Sequence, residues 1–100
     1  MRYIGYAETE PGHNFPNMSD SFVKEAYPHK NDVLRFLQNG SVDFARASRA
    51  KDVFSGELIP TEVLIMRDGD FCWSSTLAWY VEKYNLRLPK DFEAYILGGS

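Results

Sequence analysis

The strongest strand signal in the chain is the apolar run inside Thr61–Arg67 (TEVLIMR). On a pleated strand, Val63 and Ile65 take one face, and Leu64 and Met66 take the other. The Asp68-Gly69 pair that follows favours a two-residue type I′ hairpin turn. Such a turn sets Arg67 opposite Asp70, Met66 opposite Phe71, Ile65 opposite Cys72 and Leu64 opposite Trp73. One face of the predicted hairpin carries Leu64, Met66, Phe71 and Trp73, and the other carries Val63, Ile65 and Cys72. With both faces apolar, either helices cover both or one is left for a partner. Ser74 or Ser75 then caps a helix that runs to Tyr84 and stops at Asn85. At helical spacing Leu77, Tyr80, Val81 and Tyr84 form a core stripe, with Trp79 nearly opposite, beside Glu82 and Lys83. An outward tryptophan is either covered by the last helix or serves as a binding anchor.

The remaining pattern supplies smaller elements. Arg2–Ala7 (RYIGYA) reads as a first strand, and Glu8–Met18, punctuated by Pro11-Gly12 and Pro16, as a long polar loop. Ser19 or Asp20 is placed to cap a short helix over Ser21–Tyr27, and Pro28 opens a second one over Pro28–Gln38 with Val33, Leu34 and Leu37 inward. One helix kinked at Pro28 fits the same residues. Asn39-Gly40 ends that element. Ser41–Lys51 holds a strand near Val42–Ala45, followed by the basic cluster Arg46, Arg49 and Lys51. Asp52–Ile59 reads as a small hairpin about Ser55-Gly56. A last helix, Pro89–Leu97, turns Phe92, Tyr95 and Ile96 inward. These elements predict a single α+β domain over residues 1–97, a small antiparallel sheet of about four to five strands packed by three to four short helices. Gly98-Gly99-Ser100 reads as a linker outside the fold.

Composition supports a packed domain: apolar residues make up 44% and charged residues 25% of 100 residues, the balance of an ordinary globular chain. The formal net charge of −3 argues against a nucleic-acid binder, which carries a basic footprint. Charge is also segregated. Residues 52–70 hold Asp52, Glu57, Glu62, Asp68 and Asp70 against Arg67 alone. That acidic block is suited either to meeting a basic partner or to a solvated, turn-rich edge. The single cysteine, Cys72, excludes an internal disulfide and a cysteine-rich zinc site, so a reducing cytoplasm is the default compartment. No apolar run of membrane length is present, and no signal or transit peptide is recognisable, so no membrane partner is expected.

Catalytic signatures are sparse. His13 and His29 stand far apart in sequence and in no metal-ligand spacing. His13, beside Gly12 in the 8–18 loop, is a general-base candidate, but a lone loop histidine is ordinarily just solvated. Cys72, between Phe71 and Trp73, reads as a small buried hydrophobe rather than a nucleophile. The Asp68-Gly69-Asp70 run lacks the rest of a calcium loop. Neither a metal nor a cofactor is expected.

Three runs, DVFSGE, DGDFCW and YVEKYNLRLPKDF, follow the patterns D-x-x-[ST]-G-E, D-G-x-[FY]-x-W and YVEKYN-x-x-LP-x-x-F. Across residues 52–97 the chain thereby resembles small uncharacterised bacterial proteins, some of immunity-protein type, which neutralise a toxin. The resemblance implies a non-enzymatic protein-binding module acting on a basic toxin or nuclease, and implies no catalytic residue. Asp52, Glu57, Glu62, Asp68 and Asp70 supply steering and rim contacts in that reading, with Trp79 or a hairpin face as anchor. The alternatives are a small hydrolase or ligand-binding domain built on the 8–18 loop, and a homodimer formed through a bare hairpin face.

Overall fold

The computed structural model of the chain describes residues 2–10, 12 and 14–98, so His13, the general-base candidate, lies outside the described residues. Strand β1 (Arg2–Ile4) leads through a loop and a 3-10 turn at Met18–Ser21 to helix α1 (Lys30–Gln38). Strands β2 (Ser41–Lys51), β3 (Leu58–Asp68) and β4 (Phe71–Ser74) follow, then helices α2 (Thr76–Tyr84) and α3 (Lys90–Gly98). The α+β class is the one expected. The four strands form one sheet in the order β1-β4-β3-β2. The β2–β3 and β3–β4 pairings are antiparallel, but β1 runs parallel to β4, so the sheet is mixed rather than antiparallel throughout. Gly98 ends α3 instead of opening a linker.

The β3–β4 turn differs from expectation in an instructive way. Asp68 pairs with Phe71, Arg67 with Cys72, Met66 with Trp73 and Ile65 with Ser74, which makes Gly69-Asp70 the central pair. Gly69 has φ +58° and Asp70 has no positive φ, the sign pattern of a type II′ rather than a type I′ turn. The Tyr95 hydroxyl donates to Asp68 Oδ1 at 2.7 Å and packs on Gly69, holding Asp68 within the strand. Each cross-strand partner therefore moves by two positions. A two-residue slip leaves every side chain on its predicted face, where a one-residue slip would invert them all. Gly69→Ala combines an unfavourable left-handed φ with a Cβ driven into the Tyr95 hydroxyl. It is expected to lower stability in urea unfolding by about 1–3 kcal/mol.

Leu64, Met66, Phe71 and Trp73 face the helices. Trp73 is fully buried, donates from Nε1 to the Leu37 carbonyl at 3.2 Å, and packs against Phe36 and Phe92. Val33, Leu37, Leu77, Tyr80, Val81 and Phe92 close this main core. Leu77, Tyr80 and Val81 lie on the predicted α2 stripe, and Asn85 ends that helix in the left-handed conformation. On the other sheet face the start of α2 approaches only through Thr76 and Tyr80 among the residues that line a hollow there with Val63 and Ile65. Ile65 and Cys72 are buried there but lie outside that core cluster.

Residues 22–27 form no helix. Phe22 bridges Leu86, the Val23 amide donates to the Asn85 carbonyl, and the Arg87 amide donates to the Ser21 carbonyl. Seven residues ending at a proline are too few to hold a helix against these long-range bonds. The loop before them is organised by Glu8, whose carboxylate accepts the Met18 and Ser19 amides at 2.5 and 3.0 Å. The predicted strand at Val42–Ala45 extends over all of Ser41–Lys51, and the expected small hairpin is the tip of the larger β2–β3 hairpin. Pro60 is tolerated because the β2–β3 register is irregular near it and β4 pairs only with Ile65–Asp68. Among the described residues no helix is long and apolar enough to cross a membrane.

Candidate functional site

The turn DVFSGE closes the β2–β3 hairpin around Asp52, which is 1% exposed. Asp52 Oδ1 accepts the amides of Phe54 and Ser55 at 2.7 and 3.1 Å, an arrangement a short acidic side chain makes with its own loop. Its Oδ2 accepts Trp79 Nε1 at 2.9 Å and the Tyr84 hydroxyl at 2.7 Å, both from α2. The Val53 amide donates to the Tyr80 hydroxyl, and Gly56, at φ +78°, completes the turn. Burial alone would raise the Asp52 carboxyl, but the bonds from Trp79, Tyr84 and the two amides outweigh it and hold it down at about 2. The expected steering charge is thus an internal anchor. A carboxylate with four internal donors and almost no exposure cannot serve as a surface contact.

Trp79 is also not covered by the last helix. Its ring edge is tied to Asp52, Lys83 Nζ lies 4.8 Å from its ring centroid, and the indole remains partly exposed. It lines a groove of about 430 Å³ between α2 and β3. The even-numbered residues Leu64 and Met66 form the groove's floor from β3, while Ala78, Trp79 and Glu82 contribute from α2 at helical spacing. Leu37, Ile59 and Pro60 extend the apolar wall, and Glu62 and Glu82 supply its charges. No lysine or arginine is among the lining residues.

Strand β3 and helix α2 fix this placement together. Ser75 stands at the N-cap of α2, but its hydroxyl bonds β3, accepting the Leu64 amide at 2.9 Å and donating to the Glu62 carbonyl at 3.3 Å. The Ser75 amide adds a bond to the Leu64 carbonyl. The helix therefore leaves the sheet at a fixed angle beside residues 62–66, holding the groove open.

Of the six predicted contact residues, the structure brings Glu62 and Trp79 to the groove. Glu57 forms an ion pair with Lys83, the cation over the Trp79 ring. Asp68 and Asp70 lie at the β3–β4 turn, six or more residues beyond Glu62 and so about 20 Å along the strand. They are not part of the same patch. Glu82 is the residue missed, although its position next to Trp79 in the outward arc was visible in the helical pattern.

The structure offers little to a nucleophile. Cys72 is buried in β4, where desolvation and the charge of Asp43 push its thiol up, toward the unreactive form. His29 is engaged by Glu93, with Nε2 3.2 Å from Oε1. Among the described residues no three His, Cys, Asp or Glu side chains are placed to hold a metal ion. Comparison with known protein families, curated proteins and solved structures finds no match for the chain.

Proposed function

We propose that the chain is a non-enzymatic protein-binding module, and that its groove takes an apolar, basic-flanked segment of another protein. An immunity-type inhibitor of a basic toxin or nuclease is the version of this reading that the residue 52–97 pattern favours. The observation that carries the proposal is the groove itself: a partly exposed tryptophan over an apolar floor, with two carboxylates and no cation among the lining residues, and with the nearby Lys83 paired to Glu57. Such a tryptophan, rigid and large, is the side chain most often found at the energetic centre of an interface. The carboxylates select a basic flank and raise the encounter rate rather than the intrinsic affinity.

The test uses a photo-crosslinking amino acid placed at Glu62 in the native host, with an otherwise identical chain carrying it at Asp70 as control. A partner captured from Glu62 alone is purified, and its binding is measured directly. Trp79→Ala should weaken that binding by about 2 kcal/mol or more. Glu62→Lys with Glu82→Lys should slow association and flatten its dependence on salt. Equal capture from both positions, or binding indifferent to both variants, overturns the proposal.

A further inference from the structure

The alternation that points Leu64 and Met66 into the groove turns Val63 and Ile65 to the opposite face of β3, where they floor a second concavity of about 200 Å³. Its rim comes from β2 and carries Arg46, Arg49 and Lys51, while Ser74 and Thr76 present hydroxyls from β4 and the start of α2. One carboxylate, Glu10, is present, and it accepts the Tyr3 hydroxyl. The lining thus carries three cations against one acid within a chain whose net charge is −3. Among the described residues, neither Arg46 nor Lys51 has a carboxylate within ion-pair distance, and Arg49 has one guanidinium nitrogen on the Pro60 carbonyl. Most other cations of the fold are paired: Arg2, Arg35, Arg67, Lys83 and Arg87 each meet an acid. Lys24, Lys30 and Lys90 also lack an acid partner among the described residues, but only Arg46, Arg49 and Lys51 share one hollow.

We propose that this concavity binds a small phosphate monoester. A phosphate monoester carries close to two negative charges at neutral pH, matching the local surplus, and offers three acceptor oxygens to guanidinium and hydroxyl donors. The floor of Val63 and Ile65 takes the organic part. A hollow of about 200 Å³ equals roughly six or seven water volumes, room for a phosphate with a sugar-sized body. This site is independent of the groove and of any protein partner there.

The experiment is a heteronuclear NMR titration of the full chain with inorganic phosphate and with glucose 6-phosphate, using glucose as the uncharged control. The expected result is saturable shifts at residues 46, 48–51, 74 and 76 with both phosphates and none with glucose. The sugar phosphate should bind more tightly, and added salt should weaken both. Arg46→Ala with Lys51→Ala should weaken binding by about tenfold or more. Both side chains are exposed, and the single variant Arg46→Gln provides a second reading at the same position. Absence of saturable shifts up to about 10 mM ligand overturns the proposal. So does binding that is unchanged in both variants. A single-stranded oligonucleotide whose affinity grows with its length would also overturn it, because the basic strand would then be a nucleic-acid surface.

Discussion

Asp52→Ala is expected to cost about 3–5 kcal/mol in urea unfolding, a large part of the stability of a domain this size. The substitution removes a side chain that is itself 1% exposed and leaves Trp79 Nε1, the Tyr84 hydroxyl and the amides of Phe54 and Ser55 without their acceptor. Each bond to an ionised acceptor contributes about 1.5–3 kcal/mol, and an unsatisfied buried donor carries a desolvation cost as well. Asp52→Asn keeps the shape but loses the charge and presents a second donor to Trp79 or Tyr84. About 2–3 kcal/mol is expected from it, following the depression of the carboxyl to about 2 from an ordinary value near 4. The direction with pH follows from that depression. The contribution is fully present above about pH 4 and is lost as pH falls through about 2. The gap between wild type and Asp52→Asn, followed by thermal unfolding, should therefore be constant from neutral pH to about 4 and close toward pH 2. A gap that persists unchanged at pH 2 would show that geometry rather than charge holds the turn.

Glu93→Ala should be of similar size, about 3–5 kcal/mol. Glu93 is 7% exposed at the start of α3. Its carboxylate accepts Arg87 Nε at 3.1 Å and Nη2 at 2.8 Å, the Leu88 amide at 2.9 Å, and His29 Nε2 at 3.2 Å. Burial by itself would raise this carboxyl, but the bonds from Arg87, His29 and the Leu88 amide prevail and lower it. Three segments meet at this one side chain: the turn before α1, the extended link 86–88 and α3. Losing it leaves the Leu88 amide buried without its acceptor and the Arg87 guanidinium without its counter-charge. Replacing both partners by apolar residues, Glu93→Leu with Arg87→Met, should recover most of the loss, because desolvating an ion pair offsets much of its attraction. A double variant no better than Glu93→Ala alone would assign the effect to the Leu88 amide.

The sequence made the helix-facing architecture legible because periodicity reports burial directly. Leu77, Tyr80 and Val81 could be placed by spacing, and Asn85 by its tolerance of the left-handed conformation. The hairpin faces were readable even though the turn was not, since Asp68-Gly69 carries a strong local preference that the distant Tyr95 hydroxyl overrides. The segment 22–27 failed for the same reason in reverse: its local helical pattern gives way to pairing with Asn85, Leu86 and Arg87, which no window around Phe22 contains. At the candidate site, Trp79 announced itself by facing away from the stripe. Asp52 did not announce its burial. An aspartate in a turn looks the same whether it is solvated or clasped, and its partners on α2 lie 27 and 32 residues away.

The parallel alignment of β1 with β4 sets the order in which the sheet can be assembled. Arg2, Tyr3 and Ile4 find their partners only in Phe71, Cys72 and Trp73, so this seam closes the longest loop in the sheet. During synthesis the first strand leaves the ribosome unpaired and must wait until the β3–β4 hairpin has emerged. Its three residues supply little hydrogen bonding to hold it before then. Within the sheet, assembly thus builds outward from the hairpin, and the strand made before the other three is the last of them to take its place.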